Sequence, residues 1–302
     1  MTDPELDSRL RRHVAVLCES ERNTRRCPEG LERAAAYLTE TLVGLGYEIS
    51  RQEYPADGVT CVNLDAVSPD FVGRDRPHYI VGAHYDSAPG TPGADDNASA
   101  VAILLEIARR LMGRPSAKYL RFVAYTNEEP PHFYQDTMGS IVHARACRDN
   151  EDVMVGMICL ESLGIFSKEP GSQQMPEEFR ALPWLIKKML IPKGIDPEVG
   201  NFLAVVGNGP SGKFLRRFVK YLEQSADLPV VATDKLDIRL SDHLAYWDEG
   251  FPALMLTDTA LYRNRHYHQA TDTPDKLDYG KMAVVTGRIA AAIEALDFGK
   301  KG

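Results

Sequence analysis

His78–Leu111 reads HYIVGAHYDSAPGTPGADDNASAVAILLEIARRL. Its first part, His78–Ala83, is a short apolar run of strand length. A stretch rich in Gly and Pro follows, and then Ser99–Leu111 places Val101, Leu104, Leu105, Ala108 and Leu111 at helical spacing on one face. The unit is therefore a strand, a polar loop and an amphipathic helix. A strand that is apolar at consecutive positions is covered on both faces, as in the parallel sheets of α/β proteins.

Reading outward, the same alternation recurs. Strands are expected at Tyr47–Tyr54, Val59–Val67, Tyr119–Tyr125, Val153–Leu160, Phe202–Val206 and Ala253–Leu256. Helices are expected at Met138–Cys147, Phe214–Leu222 and Lys281–Leu296. The last of these carries Met282, Val285, Ile289, Ile293 and Leu296 in register. Residues 1–45 read as two further helices, Leu6–Cys18 and one from Pro28 to about Val43. Pro28 suits a first helical turn, and Gly44 and Gly46 suit its end. Alternating elements of this kind predict an α/β fold with a mostly parallel sheet, in a single domain spanning residues 1–302. Residues 164–200 break the pattern. They hold Pro170, Pro176, Pro183, Pro192 and Pro197 with little periodicity, and read as an irregular loop insertion and candidate lid.

Composition narrows the function classes. A chain of 302 residues with 44% hydrophobic side chains can bury a sizeable core. Its net charge of -8 repels phosphate backbones, so nucleic acid is not an expected partner. The five cysteines are scattered and never spaced as CxxC, which argues against a disulfide framework and against a thiolate metal site. The amino terminus has acidic residues and no apolar signal region, and no apolar run reaches the ~18 residues of a membrane span. These features set the expectation of a soluble, cytoplasmic chain that has no membrane partner.

In open α/β sheets, ligands bind beyond the carboxyl ends of the strands. The residues at those ends here are His84 and Asp86, then Asp95-Asp96-Asn97, then Glu128-Glu129, then Glu161, and late in the chain His266-Tyr267-His268. Taken singly each is unremarkable: such a histidine is commonly structural, a Glu-Glu pair solvated, an Asp-Asp-Asn beside Gly a turn. Recurrence at successive strand ends is what points to a metal. In an extended segment residues i and i+2 share a side, so Asp86 can reach the ring of His84 and fix its tautomer. Glu128 and Glu129 allow a division between metal ligand and base. Imidazole with carboxylate suits zinc, and one carboxylate can bridge two ions.

GAHYDS (82–87), PGADDNASA (92–100), TNEE (126–129), Gly139-Ser140, LESLG (160–164), SDH (241–243) and HYHQATDTPDKLD (266–278) together resemble the M28 family of zinc peptidases. The resemblance implies a phosphorylase/hydrolase-like aminopeptidase fold, a twisted mixed sheet flanked by helices, and two zinc ions per chain. It further implies that His84 and Glu161 bind one zinc, that Glu129 and His268 bind the other, and that Asp96 bridges them. Glu128 would be the general base acting on a zinc-bridged hydroxide, Asp86 would orient His84, and Tyr267 would donate to the oxyanion. The implied activity is removal of amino-terminal residues from peptide substrates.

Two features depart from the family pattern: Glu161 stands where Asp is usual, and the segment PPHFYQDTMGS after Glu129 is long. Three rival readings remain. A single-zinc glutaminyl cyclase-like acyltransferase would share the fold and the ligands, and a non-catalytic domain would be expected to lose ligands. A dinucleotide fingerprint is mimicked by Gly207–Gly212, but Pro210 removes an N–H that a pyrophosphate cradle needs. That stretch is read as a turn. His243 and His266 are not taken as ligands, His13, His78, His132 and His143 read as surface or packing residues, and Asp242 and Asp272 as turn or cap residues.

Overall fold

The structure is a computed structural model that describes residues 4–175, 194–223, 228–296 and 298. Two helices, α1 (Pro4–Leu17) and α2 (Pro28–Gly44), precede a hairpin of β1 (Glu48–Ala56) and β2 (Val59–Val67). Only Asp57 and Gly58 link the two strands, both at positive φ (49° and 79°), the conformation that a two-residue hairpin turn requires. The chain continues through β3 (His78–His84), α3 (Ala100–Leu111), β4 (Leu120–Tyr125), α4 (Gly139–Asp149) and β5 (Met154–Glu161). Then come β6 (Leu203–Val206), α5 (Gly212–Leu222), β7 (Val230–Thr233), α6 (His243–Asp248), β8 (Ala253–Thr257) and α7 (Tyr279–Glu294).

The eight strands form one mixed sheet in the order β1-β2-β4-β3-β5-β8-β6-β7. Its centre, β4-β3-β5-β8, is parallel, whereas β1-β2, β2-β4 and β6-β8 pair antiparallel. Side-chain alternation sends Tyr79, Val81, Ala83, Phe122, Ile158 and Leu160 to one face, against α1, α2, α3, α5 and α7. Ile80, Val123, Met157 and Cys159 point to the other face, against α4 and α6. The central strands are thus covered on both sides, as their unbroken apolar runs require.

Two elements were not anticipated. Strand β7 has four residues directly after Pro229, and α6 has six, both too short to show a period. In the segment 164–200, residues 164–175 and 194–200 carry neither helix nor strand. The remainder of the expected lid, 176–193, lies outside the described residues. The five cysteines are free, and four of them are buried. No helix among the described residues is long and apolar enough to cross a membrane.

Behind the sheet, Arg121 of β4 is fully buried between Asp65 (2.6 Å) and Asp152 (2.5 Å), with His78 and His143 at its edges. Removing one member of such a network leaves a buried charge unpaired, at a cost of about 3–5 kcal/mol. His13 pairs with Glu106, and His132 with Asp57 and Thr24. These four histidines are packing residues.

Candidate metal centre

Parallel pairing places the carboxyl ends of β3, β4 and β5 along one edge of the sheet. His84 is level with Tyr125, and Glu161 is the last residue of β5. Three and four residues past β4 stand Glu128 and Glu129. The loop after β3 returns as a wide helical turn, Ala94–Ser99, in which Asp96 (φ -108°, ψ 91°) leaves helical geometry and is followed by a cis peptide to Asn97. His268 arrives from a turn near the carboxyl end. Asn127, Ser162 and His268 hold positive φ (61°, 43° and 56°), a strained conformation that costs each about 1–3 kcal/mol and that clusters at functional sites.

These loops bring together all the sequence-expected ligands. His84 Nε2 lies 3.4 Å from Asp96 Oδ1 and 3.2 Å from Glu161 Oε2. His268 Nε2 lies 3.1 Å from Asp96 Oδ2 and 3.0 Å from Glu129 Oε2. Glu128 Oε2 is 3.8 Å from His84 Nε2. By proximity alone the ligand-type atoms fall into two groups, His84-Glu128-Glu161 and Asp96-Glu129-His268, each within 4.8 Å. Asp96 belongs to the second group, yet its other oxygen faces the first.

Charge and burial make the pocket receptive to cations. Both ring nitrogens of His84 and Glu129 Oε1 are buried without a hydrogen-bond partner. Burial pushes the Glu128 carboxyl well above the usual range, with His84 opposing and Glu161 and Glu129 adding to the rise. Burial, reinforced by Asp96, takes Glu129 up to about 8. His268, with 32% of its side chain exposed, is penalised by burial but raised to about 10 by Asp96 and Glu129. Four carboxylates crowd two imidazoles, and three of their polar atoms are buried without a hydrogen-bond partner. Residues of this kind fit zinc.

Neighbouring side chains hold the ligands. Asp86 Oδ1 lies 3.3 Å from His84 Nδ1, attractive but not aligned as a hydrogen bond. Asp86 also accepts the backbone N–H groups of Glu128 (3.2 Å) and Glu129 (3.1 Å). Both Glu161 oxygens accept hydroxyls, from Ser162 at 2.8 Å and from Ser241 at 2.7 Å. Asn97 accepts from Ser162 N and donates to Leu160 O, tying the Asp96 turn to the end of β5. The Tyr267 ring stacks on that of His268 at 3.9 Å and 15°. Burial and the surrounding carboxylates raise its phenol far above the usual range, which keeps it a proton donor.

Sequence reasoning missed Ser162 and Ser241. Ser241 lies in the SDH stretch, two residues before His243. His243 meets Ile238 O at 2.7 Å and packs edge-on to Trp247. Asp242 precedes α6 but makes no side-chain cap, which corrects the cap reading. Its carboxyl is buried near the site and pushed up to about 7 by burial. His266 bonds Thr271, away from the ligands. Gly207–Gly212 is a turn from β6 into α5, closed by Asn208 accepting from Ser211.

Beside the ligands opens a predominantly apolar cavity of about 280 Å³, lined by Phe133, Met175, Phe202, Val206, Met255 and Leu261 among others. Glu128, Glu129, Glu161, Tyr267 and His268 are also among its lining residues. Phe133 belongs to the long segment after Glu129, so that departure from the family pattern builds part of the cavity wall.

The sequence matches the model of peptidase family M28 over residues 67–197 and 205–293. It is 41% identical over 269 residues to YfbL of Escherichia coli (strain K12), covering 85% of this chain and 78% of that one. A probable leucine aminopeptidase of Arthroderma otae is 28% identical, covering 67% of this chain and 49% of the relative. This chain thus spans about half the length of that fungal relative. Among solved structures, Fimbriiglobus ruber glutaminyl cyclase superposes with a TM-score of 0.70 at 20% identity, covering 98% and 97% of the two chains. The aminopeptidase of Aneurinibacillus sp. strain AM-1 gives 0.68 at 15%, covering 97% and 93%. At these identities the structural likeness speaks for the fold.

Proposed function

The chain belongs to peptidase family M28, and from that premise we propose that it is a zinc-dependent aminopeptidase with two zinc ions per chain, built as one peptidase domain. The observation that carries the two-ion reading is the split of one carboxylate, with Asp96 Oδ1 toward His84 and Oδ2 toward His268. His84, Asp96 and Glu161 would hold one ion, and Asp96, Glu129 and His268 the other. Bound zinc would supply Lewis acidity, lowering the pKa of a water and polarising the scissile carbonyl.

The chain's own residues do the rest. Glu128 is the buried carboxyl lining the cavity that the two ligand sets leave free, and it takes the proton of the attacking water and returns it to the leaving amine. Tyr267, kept protonated by its surroundings, donates to the oxyanion. The cavity takes the side chain of the amino-terminal residue and excludes water from it, which favours large apolar residues. Carboxylate oxygens of Glu128 or Glu161 accept from the substrate ammonium. A charge-assisted hydrogen bond of this kind contributes about 1.5–3 kcal/mol, at least tenfold in rate if it is made only with the free amine.

Zinc analysis combined with three substrates tests this reading. The expected result is two zinc equivalents, cleavage of a leucyl peptide at least ~tenfold faster than its N-acetyl counterpart, and no cyclised product from a glutaminyl peptide. One zinc with pyroglutamyl product would replace the reading with glutaminyl cyclisation, and equal cleavage of the acetylated peptide would remove it from the aminopeptidases.

A further inference from the structure

Asp96 and His268 meet at 3.1 Å although 172 residues separate them in the chain, so something must set one turn against the other. Asp272, fully buried and four residues past His268, is placed to do so. Its backbone N–H donates to Gln269 O at 3.0 Å, closing the turn that directly follows His268. Its backbone oxygen accepts from Ala94 N at 3.2 Å. Both carboxylate oxygens accept the N–H of Asp95 at 3.2 Å, and Oδ2 also accepts the N–H of Asp96 at 3.3 Å.

A third segment joins the same web. Asn264 Nδ2 donates to Asp272 Oδ1 (3.3 Å) and to Asp95 Oδ2 (3.0 Å), while Asp95 Oδ1 accepts from Gly164 N at 2.9 Å. Gly164 lies three residues past Glu161, so one buried cluster touches the turn that carries Asp96 and the segments that directly follow Glu161 and His268. The N–H groups of Asp95 and Asp96 open the wide turn Ala94–Ser99, where no preceding helical carbonyl can accept them. A carboxylate can take both, and its charge makes those bonds roughly twice as strong as neutral ones.

We infer that Asp272 is the positioning residue of the bridging carboxylate, holding Asp96 so that its two oxygens address His84 and His268 together. The inference rests on the two-zinc reading. Asn at this position offers one acceptor oxygen and turns an amide NH2 toward the Asp95 N–H and Asn264 Nδ2, which are themselves donors, so it cannot keep the whole set of contacts.

The test is zinc competition against a chromophoric chelator, run alongside thermal melting on Asp272→Asn and Asp278→Ala. Asp278 belongs to the same segment, accepts Lys281 N at 2.9 Å to cap α7, and touches no proposed ligand. Both variants are expected to melt below the wild type, but only Asp272→Asn should lose zinc affinity, by about 10- to 100-fold, as for other outer partners of metal ligands. If Asp272→Asn yields no folded protein, Asn264→Ala, which loosens Asp272 and Asp95, should still weaken zinc at least ~threefold within the same framework. Wild-type affinity in folded Asp272→Asn, or in Asn264→Ala when that is the variant available, overturns the inference. A wild-type chain that takes up no zinc overturns the metal reading itself, and the inference with it.

Discussion

The backbone N–H of Glu128 donates to Asp86 Oδ1 at 3.2 Å, so the carboxylate that faces the ring of His84 also fixes the peptide carrying the proposed base. Asp86 therefore acts on both sides of the centre. Asp86→Ala is expected to lower zinc affinity by about 10- to 100-fold and to reduce turnover even at saturating zinc. Zinc competition and steady-state kinetics on the same preparation check this, and a purely metal-binding defect, cured by excess zinc, would show that the grip on Glu128 is unimportant.

Glu128→Gln keeps the size of the side chain and removes its ability to carry a proton. The variant is expected to bind zinc as the wild type does while turnover falls at least ~10²-fold, the low end for general acid–base catalysis. Near-normal turnover would place the base elsewhere.

Tyr267→Phe preserves the stacking on His268 and removes only the hydroxyl. If that hydroxyl serves the oxyanion, kcat should fall by more than KM rises. A rise in KM alone would assign Tyr267 to substrate packing.

Glu161 is gripped by Ser162 and Ser241, one hydroxyl to each oxygen. Glu161→Asp would draw the carboxylate back by about 1.5 Å, the length of one carbon–carbon bond, and so out of reach of those hydroxyls. The expected outcome is zinc affinity weakened at least ~10-fold, read by competition. Unchanged affinity would mean that the serines are not part of the ligand's support.

Glu106 gives a pH-dependent stability that is separate from the metal centre. Burial would raise its carboxyl, but His13, Arg9 and Arg109 outweigh burial and bring it down to about 2. A depressed folded-state pKa adds stability above the ordinary carboxylate range, about 4.3, and that stability is lost as the pH falls toward 2. Glu106→Gln should therefore melt well below the wild type at pH 7, with the gap closing as the medium is acidified through that window. A gap that stays constant with pH would contradict the ion-pair origin.

Local chemistry made much of this protein legible in its sequence. The apolar runs at His78–Ala83 and Val153–Leu160 announced buried strands, the spacing of Val101 to Leu111 a helix, and the acids and imidazoles at strand ends a metal-binding edge. Such signals survive in sequence because a strand or helix repeats every two to four residues, and a metal demands a small set of side chains. Tertiary structure decided what no periodicity encodes: that the Asp96 carboxylate divides between His84 and His268, that Asp86 reaches the N–H groups of Glu128 and Glu129 more than 40 residues on, and that Ser241, 80 residues from Glu161, donates to it. The wall formed by Phe133, Met175, Phe202 and Met255 is of the same kind. These contacts depend on which loops the folded sheet brings side by side, and one buried serine or phenylalanine looks like any other until the chain has closed around it.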